Sequence, residues 1–119
     1  MERILEITLL YDFYGKLLTS RQISIFEMYY IDDLSLGEIS GQLDISRQAV
    51  RDAIKKAEKQ MYSYEEKLKL VDRFLKEKSI IKNIMELLDE IKIDFMDDSN
   101  DRMMKRILEM KKLANTILE

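Results

Sequence analysis

Apolar residues recur at intervals of three and four along most of the chain, which is the spacing of helices that bury one face. The pattern is clearest at positions 34–59, which read LSLGEISGQLDISRQAVRDAIKKAEK. Ser35 is a candidate N-cap, and Glu38 three residues later completes a capping box. The helix that follows is expected to bury a stripe made of Leu36, Ile39 and Leu43.

A sharp turn at positions 42–45 separates this helix from a second one, for which Ser46 is the predicted N-cap. Asp44 stands at the turn position where glycine is most common, and Asp tolerates a left-handed backbone there less readily than Gly. The second helix is expected to bury Ala49, Val50, Ile54 and Ala57. Small residues suit the place where two steeply crossed helices approach each other, and the candidates are Ser40, Gly41, Ala49 and Ala53.

The other face of the second helix carries polar and basic side chains, namely Arg47, Gln48, Arg51 and Lys55. Two short helices joined in this way are typical of a helix-turn-helix, whose second helix reads a nucleic acid. The alternative is an ordinary pair of helices with a solvated outer face. Capping, apolar spacing and charge all agree, and this agreement favours the helix-turn-helix.

Two helices are predicted before this motif. Residues 2–18 form the first, and its broad apolar face is expected to contain Ile4, Leu5, Leu9, Leu10, Phe13 and Leu17. Thr19 or Ser20 caps the second, which ends near Tyr30. Because apolar residues lie on more than one side of this second helix, we expect it to pack between the first helix and the helix-turn-helix.

Beyond the motif the helical pattern continues without an obvious breaker. We expect one long helix from Ser46 to about Lys76 and a further helix capped by Ser79. A last helix should follow a break at positions 94–100.

The last two helices each carry a seam with the spacing of coiled-coil a and d positions. The seam residues are Ile81, Ile84, Leu88 and Ile91 in one helix, and Met103, Ile107, Met110, Ala114 and Ile117 in the other. The predicted division places the N-terminal helices, the helix-turn-helix and its extended recognition helix in residues 1–76. Residues 77–119 are predicted to be a C-terminal helical extension that packs or dimerises.

The composition excludes most kinds of catalytic site and metal-binding site. The 119 residues include no Cys and no His, which excludes disulfides, thiol nucleophiles and histidine acid–base catalysis. No Gly-rich phosphate loop or nucleophile elbow is present, so we expect neither an enzyme nor a cofactor, and a carboxylate-based hydrolase is a weaker alternative. The acidic stretch from Asp97 begins like a calcium loop. However, Arg102 stands where that loop needs Gly and Leu108 where it needs Glu, so no metal is expected.

The absence of membrane and signal segments and the distribution of charge restrict the class of protein further. The chain has no apolar run of membrane-spanning length, and its N-terminus is acidic where a signal peptide is basic, so we expect a cytoplasmic protein. The formal net charge is −3. Residues 1–45 carry three basic and eight acidic groups, whereas residues 46–59 carry five basic and two acidic groups. The local positive excess coincides with the proposed recognition helix, which favours nucleic-acid binding.

Residues 17–61 resemble region 4 of sigma-70-type sigma factors. A closer resemblance is to the YlxM family of small bacterial helix-turn-helix proteins. It is carried by the segments DFYGKLLTSRQ, MYYIDDLSLGEIS, ISRQAVRDAIKKAEK and YEEKLKL, in this order. The resemblance covers about residues 1–90 and is strongest at 12–72. It implies an all-α fold, with a sigma-70 region 4-like helix-turn-helix domain and a long C-terminal helical extension.

The resemblance also implies a function. Genes of this family typically lie beside those for the signal recognition particle GTPases, which implies a role in that pathway. By match to the exposed start of a sigma-type recognition helix, the candidate base-edge readers are Ser46, Arg47, Gln48 and Arg51. The residues that match its phosphate-facing end are Lys55, Lys56 and Lys59.

We therefore predict a regulatory nucleic-acid-binding protein, a homodimer whose target is DNA or signal recognition particle RNA. Arg suits guanine and Gln suits adenine in a major groove, and one helix makes too few base contacts without a second half-site. The alternative is an adaptor that binds a signal recognition particle GTPase or RNA polymerase without direct nucleic-acid contact.

Overall fold

The computed structural model describes residues 2–118, and these form six α-helices and one 3-10 turn with no β-strand. The prediction of an all-α fold is confirmed. The helices are α1 (Arg3–Tyr14), the 3-10 turn (Gly15–Leu17), α2 (Ser20–Tyr30), α3 (Leu36–Leu43), α4 (Arg47–Leu68), α5 (Leu70–Met96) and α6 (Asn100–Leu118). None of these helices combines the length and the apolar composition that crossing a membrane requires. The chain divides into two compact units, Met1–Val71 and Asp72–Glu119.

Side-chain caps begin α2, α3 and α4 where the sequence predicted them. The backbone N–H of Glu38 donates to the Ser35 hydroxyl at 3.1 Å, and the Glu38 carboxylate accepts from the Ser35 N–H. Thr19 forms the same reciprocal pair with Gln22 at the start of α2. Each box satisfies two amide groups that the first turn of a helix leaves without a partner.

The turn between α3 and α4 has the predicted geometry. Asp44 adopts the left-handed conformation, with φ 55° and ψ 47°, and its N–H bonds the carbonyl of Ser40. Ser46 then caps α4 by accepting the N–H of Ala49 at 3.0 Å. Because Asp44 is left-handed, the chain changes direction sharply at the end of α3. The next helix, α4, begins only three residues later, at Arg47.

The core of the helix-turn-helix joins α2, α3 and α4. Ile25, Ile39, Val50 and Ile54 form one buried cluster, around which Met28, Leu34, Leu36, Leu43 and Ala53 pack. Burying a branched aliphatic side chain contributes about 1.5–3 kcal/mol, so this cluster is a main source of stability. Two predictions about small residues were wrong. Ala49 is exposed, and a Cβ added to Gly41 would meet nothing within 4 Å, so neither residue lies at the helix crossing.

The prediction for the buried face of α1 was correct for Leu10 and wrong for most of its other residues. Ile7, Leu10 and Tyr14 are the buried residues, whereas Ile4, Leu5 and Leu17 are more than half exposed. Apolar residues lie almost all around this helix, so its own pattern does not select a face. The face is selected by its neighbours, because Tyr14 donates a hydrogen bond to the half-buried Glu65 of α4 and Tyr11 stacks on Phe26 of α2.

The recognition helix ends earlier than predicted. Lys69 is left-handed, with φ 57° and ψ 28°, and closes α4 at Leu68 rather than near Lys76. Ser79 lies inside α5 and begins no helix. The first amides of α5 are instead satisfied from the first unit: the Leu70 N–H donates to the Tyr14 hydroxyl at 3.2 Å, and the Val71 N–H to Glu65 at 2.9 Å.

In the second unit, the rest of α5 and α6 are joined by a short break at positions 97–99, within the predicted range. Asp94 is only 2% exposed and accepts a hydrogen bond from Arg106 of α6 at 2.6 Å. Arg102 lies 3.4 Å from the same carboxylate, and Arg106 also pairs with Glu90. A buried carboxylate is stable only when it is paired in this way, so Asp94 fixes the α5–α6 hairpin.

The predicted seams of this hairpin are partly buried. Ile84, Ile91, Met103, Met110 and Ile117 are half-buried, but Ile81, Leu88, Ile107 and Ala114 are exposed. The exposed apolar side chains of the two helices include Met85, Phe95, Met104 and Leu118. The hairpin therefore carries apolar residues outside its internal seam.

Candidate nucleic-acid interface

The candidate interface lies on the first half of α4 and on its N-cap. All seven residues predicted to bind nucleic acid are exposed in the structure: Ser46, Arg47, Gln48, Arg51, Lys55, Lys56 and Lys59. The structure thus brings the basic residues of positions 46–59 together on the solvent side of one helix. Val50, Ile54 and Ala57 on the opposite side are buried and hold this helix on α2 and α3.

Three of the seven residues form a row along one edge of α4. Arg47, Arg51 and Lys55 are spaced by four residues, which places them on successive turns of the helix. None of the three has an ion-pair partner among residues 2–118. Three unpaired cations one turn apart form a positive ridge that suits an anionic ligand.

The side chain of Arg47 extends from α4 towards α3. A Cβ added to Gly37 of α3 would lie 3.1 Å from Nη2 of Arg47, so the guanidinium rests against the backbone of that helix. The absence of a side chain at Gly37 makes this position available. Arg47 thereby connects the recognition helix with the helix that precedes it, and its guanidinium remains exposed.

Gln48 and Ser46 both have intramolecular partners. The Gln48 side-chain amide donates to Asp52 at 2.8 Å, and the Ser46 hydroxyl accepts the Ala49 N–H. Gln48 must release Asp52 before its Nε2 can serve a base, whereas the Ser46 hydroxyl still has its proton to donate. Asp52 also places a negative charge beside the basic row. From the sequence, Asp52 was counted only among the acidic groups of positions 46–59, although its i+4 spacing from Gln48 is the signal that reveals the contact.

A second group of residues lies at the inner edge of α4 and comes from distant parts of the chain. Glu58 is 8% exposed, accepts a hydrogen bond from the Tyr30 hydroxyl and pairs with Arg3 at 2.8 Å. Burial and the hydrogen bond to Glu58 raise the pKa of Tyr30. Arg3 precedes its partner by 55 residues, so no local pattern in the sequence could have indicated this contact.

The described residues contain no group of three or more acidic side chains that could hold a metal ion. The exposed side of α4 offers hydrogen-bond donors and positive charges from Arg47, Arg51 and Lys55. Such groups bind and orient an anionic partner.

Comparison with known proteins gives the family. A model of the family described as "Putative helix-turn-helix protein, YlxM / p13 like", UPF0122, matches residues 1–113. The chain belongs to the UPF0122 family. A UPF0122 protein of Thermoanaerobacter sp. (strain X514) is 58% identical over 85 residues, which cover 71% of this chain and 67% of the relative. The resemblance to YlxM proteins, predicted from the sequence, is thereby confirmed.

Other UPF0122 relatives match a similar length of the chain at lower identity. A protein of Desulforamulus reducens is 48% identical over 89 residues, covering 75% of this chain and 76% of the relative. A protein of Bacillus cereus (strain AH187) is 43% identical over 90 residues, covering 76% and 82%. The helix-turn-helix of α3 and α4 therefore has the architecture that the UPF0122 family description names.

Proposed function

We propose that this UPF0122 protein is a regulatory nucleic-acid-binding protein that uses the start of α4 as its recognition helix. The observation that carries the proposal is the unpaired row of Arg47, Arg51 and Lys55 on an exposed helix edge, within a chain whose net charge is −3. A positive surface concentrated on one helix of a helix-turn-helix suits phosphate contacts and base-edge contacts. The proposed contact residues are Ser46, Arg47, Gln48, Arg51, Lys55, Lys56 and Lys59.

The proposed targets are duplex DNA and the RNA of the signal recognition particle, and the proposed place of action is the bacterial cytoplasm. Duplex DNA admits a helix into its major groove, whereas the major groove of an RNA helix is too narrow. On RNA the same side chains would meet phosphates and a loop or distorted region. The gene context of YlxM proteins supports the second target.

We propose that the protein acts as a homodimer. Apolar side chains of α5 and α6, including Met85, Phe95 and Met104, remain more than half exposed. A second copy that covers them would present two recognition helices, as half-site binding requires. Sedimentation of the full chain tests this proposal. Replacement of Met85 and Met104 by Gln should shift a dimer to monomer, and a wild-type monomer at all concentrations would contradict the proposal.

A second candidate function is that of a protein adaptor for a signal recognition particle GTPase or RNA polymerase. The observation that favours it is the outward face of α1, where Ile4 is 66% exposed and Leu5 55% exposed. Contiguous exposed apolar patches mark docking surfaces, and this candidate requires that Ile4 and Leu5 belong to one. This candidate predicts that replacing Leu5 by Gln abolishes partner capture while nucleic-acid affinity stays unchanged.

Fluorescence polarisation with labelled duplex DNA and labelled signal recognition particle RNA tests the first proposal. The double variant Arg47→Ala, Arg51→Ala should lose saturable binding, and its residual binding should depend less on salt because phosphate contacts are removed. The matched control is Lys82→Ala, Lys92→Ala, which removes the same charge from α5. Absence of wild-type binding to both nucleic acids would overturn the proposal, as would equal losses in the two double variants.

A further inference from the structure

A pocket of about 380 Å³ lies along the inner edge of the recognition helix, and the proposed function does not use it as a site. It is formed where the start of α1 and the end of α2 meet α3 and α4. Its lining consists of Arg3, Tyr29, Tyr30, Leu36, Arg51, Ile54, Lys55 and Glu58.

The pocket is strongly positive. Arg3, Arg51 and Lys55 contribute three cations, and Glu58 is the one carboxylate among the lining residues. Glu58 has both oxygens occupied, since Oε2 pairs with Arg3 at 2.8 Å and Oε1 accepts from Tyr30. The acid therefore balances Arg3 and leaves Arg51 and Lys55 without an internal counter-charge among the described residues.

Two unpaired cations that face one cavity define the class of ligand. A single carboxylate would balance only one of Arg51 and Lys55. A phosphate monoester carries up to two negative charges and a nucleic-acid phosphodiester carries one, and each offers several acceptor oxygens, which can bond a guanidinium and an ammonium at the same time. The pocket is also large enough to hold more than the phosphoryl group.

The remaining walls suit an organic body attached to that group. Leu36 and Ile54 supply apolar surface, and Tyr29 meets Tyr30 edge to face with ring centroids 4.9 Å apart. Aromatic rings beside cations are common where proteins hold nucleotides. The Tyr30 hydroxyl is held by Glu58, so this wall has a fixed orientation.

We propose that this pocket binds a phosphoryl group, with Arg51 and Lys55 as its principal contacts. The group belongs either to a nucleic acid seated on α4 or to a free nucleotide. For the first source the inference rests on the proposed function, and it makes Arg51 a phosphate contact rather than a base reader. For the second source it stands without nucleic-acid binding.

The first test uses ³¹P NMR of inorganic phosphate, and then of AMP, with the full chain at constant ionic strength. Saturable shifts and broadening should appear with the wild type. Lys55→Gln should weaken binding about fivefold to tenfold, because it removes one charge-assisted contact. Lys67→Gln removes the same charge from an exposed position near the end of α4, outside the lining and outside the proposed contact residues, and should change binding by less than about twofold.

Two results would overturn the proposal: no saturable effect on either phosphate compound, or equal weakening by the two variants. Titration of labelled duplex DNA and RNA with the same variants then identifies the source. Loss of nucleic-acid affinity in Lys55→Gln, together with its loss of phosphate binding and with unchanged affinity in Lys67→Gln, supports a nucleic-acid phosphate in the pocket. Phosphate binding by a wild type that binds no nucleic acid supports the free nucleotide and contradicts only the proposed function.

Discussion

The hydroxyl of Tyr14 donates to the carboxylate of Glu65 at 2.6 Å, across 51 positions of the sequence. The same hydroxyl accepts the N–H of Leu70, and Glu65 accepts the N–H of Val71. These contacts satisfy amides at the start of α5, immediately after the left-handed Lys69. A residue of α1 thus helps to determine where the recognition helix ends.

Replacing Tyr14 by Phe should lower the free energy of unfolding by about 0.5–1.5 kcal/mol, because the Leu70 amide loses its acceptor and Glu65 loses a donor. Urea denaturation measures the change. Tyr64→Phe is the control, since the ring of Tyr64 packs 5.9 Å from that of Tyr14 and its hydroxyl has no hydrogen-bond partner among residues 2–118. Equal effects of the two substitutions would contradict the assigned role of the Tyr14 hydroxyl.

We expect Glu58 to stabilise the fold although it is a charged residue in a buried position. Its replacement by Ala leaves the Tyr30 hydroxyl and one end of Arg3 without their partner, and we expect a loss of about 1–3 kcal/mol in the free energy of unfolding. Glu66→Ala removes an exposed carboxylate from the same helix and should change stability by less than about 0.5 kcal/mol. Thermal unfolding of the two variants checks the difference, and an unchanged midpoint for Glu58→Ala would be incompatible with this network.

Replacing Gly41 by Ala should increase the stability of the protein. A Cβ at this position meets nothing within 4 Å, so Gly41→Ala should stabilise α3 by about 0.5–1 kcal/mol through its higher helix propensity. At Gly37 the added Cβ would come within 3.1 Å of the Arg47 guanidinium, so Gly37→Ala should gain less. Thermal midpoints of the two variants should therefore rank Gly41→Ala above Gly37→Ala. The reverse order would show that the room beside Arg47 is not limiting.

Stability should fall in alkaline solution. Burial, followed by the hydrogen bond to Glu27, raises the pKa of Tyr11 to about 12 from its ordinary value of 10.0. Below pH 10 the side chain is protonated in both the folded and the unfolded state. Between pH 10 and about pH 12 the unfolded chain releases this proton more readily, so folding stability is lost as the pH rises.

Tyr11→Phe removes this contribution. Urea midpoints at about pH 9 and about pH 11 should therefore differ less for the variant than for the wild type. Tyr14, Tyr30 and Tyr62 also have raised pKa values, so the variant should retain part of the decrease. An identical decrease in both proteins would contradict the assignment to Tyr11.

Local features of the fold could be predicted from the sequence, because their causes are local. The capping box of Ser35 and Glu38, the left-handed turn at Asp44 and the cap at Ser46 each depend on residues within a few positions of one another. The family could also be predicted from the sequence, through the resemblance to YlxM proteins. The exposure of the proposed contact residues followed from the apolar spacing of Val50, Ile54 and Ala57.

Features with distant causes could not be predicted. The end of α4 depends on Tyr14, which lies on another helix, and the predicted continuation to Lys76 was wrong for that reason. The face of α1 that becomes buried depends on which neighbouring residues Tyr11 and Tyr14 contact. The pocket depends on Arg3, which reaches Glu58 only in the folded chain.

The central claim is that the exposed start of α4 contacts a nucleic acid. Backbone amide chemical shifts of the ¹⁵N-labelled full chain, measured during titration with duplex DNA and with signal recognition particle RNA, test it most directly. We expect the largest changes to cluster between Ser46 and Lys59, with small changes in α6. Largest changes on α1 or α6, or no change with either nucleic acid, would contradict it.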